Sequence, residues 1–390
     1  MLSKRIQVLS PSLTLAITAL ALEMKASGKD VLSFSAGEPD FDTPQIIKDA
    51  AIKAISEGFS KYTAVAGTPE LLKAVQGKLK RENNLEYKTS NIVTNVGAKH
   101  SLFNVFQAVL DDGDEVIIPA PYWVTYPEIV KYSGGVPVIV ETDETSQFKI
   151  TPKQLKDALT PKTKMFVLNS PSNPTGFIYS KDELMALGKV LEGTSVLVVS
   201  DEMYEKIIFD GKVFTSAASV SEDMYKRTIT INGLSKSVSM TGWRFGYMAC
   251  PIQEIVTAVV DLQGQSTSNI NSITQKAALP ALNGDADSDI EAMRMQFEKR
   301  RDLALSLFCD VKGLSVLKPD GAFYLFVNIK NVSKDSVKFC KELLEQKGVA
   351  TVPGIGFGSE GYMRLSFATS EKNIIEGIKR IKEFVESYKN

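Results

Sequence analysis

Histidine is almost missing from this chain: His100 is the only one in 390 residues. A Ser-His-Asp triad or a multi-histidine metal centre would have to be built around that single ring. Read alone, His100 is a partly buried residue on a helix. Cysteine is scarce as well. Cys250, Cys309 and Cys340 are odd in number and far apart, which suits a reducing compartment and offers no metal-ligand spacing, so no metal is expected. Excess charge of one sign is also lacking: 45 Lys+Arg against 46 Asp+Glu leave a net charge of −1. No long-range field therefore favours nucleic acid or an anionic membrane as a partner. Long apolar runs are absent too, and nothing approaches the length of a transmembrane helix. The stretch LTLAITALAL (13–22), preceded by Lys4 and Arg5, superficially resembles a secretory signal. Pro11 interrupts its approach, however, and Glu23 and Lys25 follow with no clear small-residue cleavage site. An amphipathic helix capped by Ser12 and stopped by Gly28 accounts for it better, and a cytoplasmic protein is expected.

What is present is an ordinary globular composition, with 44% apolar and 23% charged residues, and a length that suits two domains. From about residue 45, β-rich apolar runs alternate with helical patterns. The runs are NIVTNVG (91–97), DEVIIPAP (114–121), GVPVIVET (135–142), KMFVLNSP (164–171), SVLVVSDE (195–202), RTITING (227–233) and FGYMAC (245–250). Helical patterns occupy 98–110, 122–132, 152–159 and 181–191. Short, nearly continuous hydrophobic strands separated by helices predict an α/β fold with a mostly parallel sheet covered on both faces. Ligands of such sheets bind beyond the carboxyl ends of the strands, where Gly97, Asn169, Asp201 and Lys236 or their neighbours fall. After about 285 the rhythm changes: a charged helix (287–308), strands GLSVLKP and FYLFVNI, and helices 334–347 and 371–388 suggest a smaller α+β domain. Residues 1–45 show no sheet rhythm of their own and are expected to pack against it. The expected division is thus 46–284 for a large domain, with 1–45 and 285–390 forming the small one.

The chemistry concentrates in three motifs. In NGLSKSVSMTGWRFGYM (232–248), Lys236 stands among small residues at the end of a β-rich run, and Arg244 follows eight positions later. A lysine attacks carbonyls only when neutral, which desolvation and nearby cations promote. Standing alone, it would read as a solvated loop lysine. Arg244 suits bidentate binding of a phosphate, and VGAKHSLFNVF (96–106) presents free N–H groups at a helix start after a glycine turn. Asp201 in SDEMYE ends a buried strand, where a carboxylate needs a partner such as a cationic ring nitrogen. Asn173 in NSPSNPTG and Tyr204 supply hydrogen bonds for a phenolic oxygen, and Trp123 in APYWVTYP offers a flat face. A Schiff-base lysine, a pyridinium partner, phenolate donors, a stacking face and a phosphate cradle together match what pyridoxal 5′-phosphate (PLP) demands.

On these motifs the sequence resembles the class I aminotransferases of PLP fold type I, and most of all the prokaryotic aspartate aminotransferases. The likeness runs from SAGEPDFDTP (35–44) through KYTAVAG (61–67) to MRLSFATSEKN (363–373). The resemblance implies that Lys236 is the Schiff-base lysine and acid/base, with Asp201 on the pyridine nitrogen and Asn173 and Tyr204 on the ring oxygen. It implies a phosphate site around Gly97, Ala98, Lys99, Ser235 and Arg244, with Trp123 beside the ring. Tyr62 would reach the phosphate of a neighbouring subunit's cofactor, so a homodimer is implied. Arg364 would clamp the substrate α-carboxylate near Gly37; as an edge-strand arginine it would otherwise read as solvated. Lys99, helped by Thr14, is the candidate for the distal carboxylate of a dicarboxylic substrate, unless it sits in solvent. Two positions depart from the family pattern. Gly233 stands where a phosphate-binding serine is common, and Phe245 replaces a small aliphatic residue, a change expected to alter only packing.

The expected reaction is therefore transamination between L-aspartate and 2-oxoglutarate by a ping-pong mechanism, with amino-acid and 2-oxo-acid substrates. Arogenate-forming transamination of prephenate is the alternative, followed by aromatic or alanine aminotransferases and a PLP lyase. A PLP-sensing regulator would need a DNA-binding module, and only about 45 residues precede the expected sheet domain. A dehydrogenase would rest on the glycine-rich VPGIGFGSEG (352–361), which lacks the following helix and acidic residue of a dinucleotide site and reads as a substrate-side loop.

Overall fold

The computed structural model describes residues 2–11 and 13–388, and of Thr14 and Leu15 only the backbone. Among the described residues, thirteen strands run in chain order: β1 Leu32–Ser33, β2 Ile92–Val96, β3 Glu115–Ala120, β4 Val136–Glu141, β5 Thr163–Asn169, β6 Leu197–Asp201 and β7 Thr228–Gly233. They continue with β8 Phe245–Ala249, β9 Ser315–Val316, β10 Tyr324–Asn328, β11 Val349–Ala350, β12 Val352–Pro353 and β13 Tyr362–Ser366.

Seven of them form one sheet in the order β2-β8-β7-β6-β5-β3-β4. The pairs β4/β3, β3/β5, β5/β6 and β6/β7 are parallel, and β8 runs antiparallel to both β7 and β2. The expected mostly parallel α/β sheet is present. Its inner strands are buried almost end to end, β7 at every residue, which is why they read as continuous apolar runs. The reversal of β8 matters for function. A reversed strand begins where its parallel neighbours end, so Arg244, just before β8, is delivered to the same edge as Gly97, Asn169, Asp201 and Lys236.

A second, antiparallel sheet has the order β12-β13-β10-β9, and β1 pairs in parallel with β11. Two expectations are corrected here. Residues 1–45 do contribute a strand, but Leu32–Ser33 is too short to show an alternating pattern. Arg364 is on β13, an inner strand between β12 and β10, not on an edge, and it is 3% exposed. The helix Asp287–Phe308 packs on Glu371–Ser387. The first long helix spans Leu13–Ala26, and Gly28 follows it with φ of +84°. Its expected Ser12 cap lies outside the described residues. Among the described residues, no helix is long and apolar enough to cross a membrane.

Candidate active site

A cleft of about 1140 Å³ opens at the carboxyl edge of the large sheet, and Arg364 reaches it from the small sheet. Lys236 follows β7 by three residues. Its Nζ donates to the main-chain oxygen of Gly37 at 2.5 Å. Burial lowers the Lys236 pKa to about 8; the nearby Glu38 carboxylate opposes this, while the Arg364 and Arg244 cations reinforce it.

Asp201, 5% exposed, is fixed by two donors: the Tyr126 hydroxyl to Oδ2 at 2.7 Å and the Met203 N–H to Oδ1 at 3.2 Å. Desolvation raises its pKa, and those two hydrogen bonds oppose the rise. No lysine or arginine lies within ion-pair distance of it among the described residues. A buried carboxylate in that position is matched to a cationic donor from a ligand.

Tyr204 shares a hydrogen bond of 2.8 Å with the Tyr324 hydroxyl, deep in the cleft. Arg364 lies beside them, its guanidinium over the Tyr324 ring at 4.4 Å. Its Nη1 donates to Asn173 Oδ1 at 2.9 Å and its Nη2 to the Ser35 oxygen at 2.7 Å, while Nε is buried without a partner. Burial pulls its pKa below the usual arginine value. Asn173 is held in turn by Asn169, whose Oδ1 accepts its N–H at 2.8 Å.

The turn from β2 into the helix Ala98–Val109 has the form of an anion cradle. Gly97 takes φ of +79°, and a Cβ there would lie 2.4 Å from Arg244 Nη2. Only glycine lets the guanidinium lie across that helix start. Arg244 Nη1 is steadied by the Thr241 oxygen at 2.9 Å. Ala98, Lys99 and Ser235 line the same wall. Lys99 is solvent-exposed at the cleft mouth, with its ammonium 4.9 Å from the centre of the Trp123 ring. Partial desolvation there, together with Arg244, lowers its pKa.

Of the residues singled out in the sequence, Lys236, Asp201, Asn173, Tyr204, Ser235, Arg244, Ala98, Lys99, Trp123, Gly37 and Arg364 line this one cleft, and Gly97 lies directly behind it. Tyr62 does not line it and is 90% exposed. The Thr14 side chain lies outside the described residues. Gly233 has a steric reason of its own: a Cβ there would meet the Phe245 oxygen at 2.7 Å across the β7/β8 pair. Phe245 is fully buried, so its change concerns packing. His100 is half-buried on a helix and accepts from the Val96 N–H at 3.3 Å. In VPGIGFGSEG a short turn, Gly354–Phe357, follows β12 where a dinucleotide site would need a helix, and Ile355 and Gly356 border the cleft.

Sequence reasoning missed Tyr126, Tyr324 and Glu38. Tyr126 had a signal, its spacing of three from Trp123. Tyr324 had none, because one tyrosine in an apolar strand reads as core.

The chain matches the family described as aminotransferase class I and II over residues 29–381. It is 51% identical over 392 aligned positions to the aspartate aminotransferase of Bacillus subtilis, with 99% of each chain covered. It is 48% identical to the aspartate/prephenate aminotransferase of Nitrosomonas europaea, covering 97% of this chain and 98% of that one. Among solved structures, the aspartate aminotransferase of Rhizobium meliloti superposes with a TM-score of 0.96 at 42% identity, covering 100% of both chains.

Proposed function

The chain belongs to the class I and II aminotransferase family, PLP-dependent enzymes, and from that premise we propose that it moves the amino group of L-aspartate to 2-oxoglutarate. The products are oxaloacetate and L-glutamate, formed in two half-reactions at one site. The observation that carries the substrate choice is a pair of cations facing one cleft. Arg364 is buried with no carboxylate in ion-pair range among the described residues, and Lys99 stands at the mouth. Two cations with room between them suit a substrate with two carboxylates.

The donor set fits PLP. Asp201, buried with no lysine or arginine in ion-pair range among the described residues, would hold the ring nitrogen, and Asn173 and Tyr204 the ring oxygen. The turn at Gly97, with Ala98, Lys99, Ser235 and Arg244, would hold the phosphate, and Trp123 would flank the ring. When bound, PLP supplies an electron sink for the pair left at the substrate α-carbon. Arg364 then fixes the α-carboxylate beside Gly37, with Thr14 and Lys99 toward the distal carboxylate. Lys236 Nζ, with its pKa drawn down to about 8, takes the α-proton and holds it for redelivery. Asp201 would face the ring nitrogen as its carboxylate partner, and Tyr204 and Asn173 would donate to the ring oxygen.

A second reading, arogenate-forming transamination of prephenate, has support in the outer cleft, where Ile6, Leu9, Leu13, Phe103 and Ile355 make an apolar wall that a four-carbon substrate leaves unused. The aspartate/prephenate name of the Nitrosomonas relative points the same way.

We place the site in a homodimer, with Tyr62 of a second copy completing the phosphate cradle, and divide the chain into 46–284 and 1–45 with 285–390. Exposure of Tyr62 and of Ile52 and Ile55 on the helix Gln45–Ser56 supports a covered face there. A cytoplasmic setting agrees with three unpaired thiols. The test is the absorbance of the PLP-loaded protein on adding L-aspartate, prephenate with glutamate, phenylalanine, alanine or cystathionine. Conversion of the cofactor to its amine form by aspartate, with oxaloacetate released, is expected; no conversion by aspartate would sink the substrate choice.

A further inference from the structure

Tyr126 has no part in the roles assigned so far, yet its hydroxyl is the only side-chain group bonded to the Asp201 carboxylate among the described residues. Tyr126 is 1% exposed, and its Oη donates to Asp201 Oδ2 at 2.7 Å. It lies in the first turn of the helix Thr125–Tyr132, three residues after Trp123. Its ring meets the Trp123 ring edge-on, with centres 5.5 Å apart and planes at 85°. The other face of the arrangement is the Lys99 ammonium over Trp123. One side chain therefore touches both the carboxylate at the floor of the cleft and the aromatic plate at its mouth.

We infer that Tyr126 is a positioning residue whose hydroxyl keeps the Asp201 carboxylate ionised and aimed at the cofactor's ring nitrogen while its ring braces Trp123. The inference rests on the PLP-binding reading above. A buried carboxylate loses its hydration, and desolvation pushes Asp201 toward the neutral acid. A neutral acid would lack the negative charge that holds a proton on the ring nitrogen. The Tyr126 bond is the larger of the two hydrogen bonds that counter this push, ahead of the Met203 N–H, and Lys236 adds a favourable charge. Burial holds the Tyr126 phenol well above its usual pKa, so it remains a donor. Oδ2 is thereby occupied and the carboxylate plane cannot rotate freely. The carboxylate's remaining lone pairs are left for the ligand.

The test compares Tyr126→Phe with Tyr126→Leu and the unaltered enzyme. PLP affinity is measured on apoprotein by fluorescence quenching, and kcat and KM are measured with aspartate. Tyr126→Phe keeps the ring and removes the donor. It should weaken PLP binding and lower kcat by about tenfold to a hundredfold, the range set by a hydrogen bond to a charged group, with KM for aspartate nearly unchanged. Tyr126→Leu also removes the brace and should raise KM in addition. A Tyr126→Phe protein with PLP affinity and kcat within about twofold of the unaltered enzyme would overturn the inference. So would equal damage to kcat and KM in both variants accompanied by a loss of thermal stability, the mark of a merely structural role. Failure of the unaltered apoprotein to bind PLP would instead remove the reading on which the inference stands.

Discussion

Lys236 meets two opposing demands, since it must be buried to be neutral and must still reach a ligand. Burial dominates and sets its pKa at about 8, against an ordinary value of 10.5. Because the folded value is the lower one, the neutral amine that attacks an aldehyde grows as pH rises toward 8 and is the main form above it. The rate of PLP capture by apoprotein should therefore climb about tenfold per pH unit below 8 and flatten above, followed by stopped-flow absorbance; a flat profile from pH 6 to 9 would contradict the assignment. Lys236→Ala should lose the Schiff-base absorbance band and transamination while its circular dichroism stays native. Turnover near that of the unaltered enzyme would refute the role. Arg364 carries the complementary charge logic. It is buried, its Nε has no partner, and its neighbours are the neutral groups Asn173 and Ser35. Arg364→Leu should raise KM for aspartate at least tenfold, by loss of a charge-assisted pair, and leave PLP affinity close to native. Equal loss of both would make Arg364 a structural residue.

At the scale of elements, the site depends on where strands stop. The turn from β2 into Ala98–Val109 is the most constrained of these ends, because Gly97 combines positive φ with a guanidinium at the place a methyl would occupy. Gly97→Ala should cost about 1–2 kcal/mol in backbone strain and displace Arg244 as well. PLP affinity, read by equilibrium titration, should fall at least tenfold, whereas unchanged affinity would mean that the cradle lies elsewhere. This dependence also explains what was legible in the sequence. The inner strands of the large sheet announced themselves because strands covered on both faces must be apolar throughout, and functional residues at their ends stood out against that background. β1, β11 and β12 have two residues each, too few for any periodicity, so the tie between Leu32–Ser33 and Val349–Ala350 was hidden. Arg364 was misjudged for the same reason. Its covering neighbour β12 is one of those invisible strands, and without β12 an inner strand looks like an edge. The bond from Tyr126 to Asp201 joins residues 75 apart, and no local pattern encodes such a distance.

At the scale of the whole molecule, the cleft draws its floor from the large sheet and Arg364, the proposed carboxylate clamp, from the small one, yet one residue implied for the site stays outside. Tyr62 is 90% exposed and, within a single chain, borders none of the cleft. A large aromatic side chain left in water, and an exposed isoleucine pair, Ile52 and Ile55, on the preceding helix, are accounted for if a second copy covers them. In that arrangement each site needs Lys236 from one chain and Tyr62 from the other, which makes the dimer testable by mixing. Tyr62→Ala should bind PLP weakly at both of its sites, and Lys236→Ala should be inactive at both. In a hybrid of the two, the site on the Tyr62→Ala chain has its own Lys236 and receives an intact Tyr62 from the Lys236→Ala chain. That site is complete, while the other carries both defects. Unfolding and refolding the two variants together, at PLP concentrations that leave Tyr62→Ala largely unloaded, should therefore yield more activity than the sum of the two refolded alone. If Tyr62 served its own chain's site, or served none, mixing would give no more than that sum.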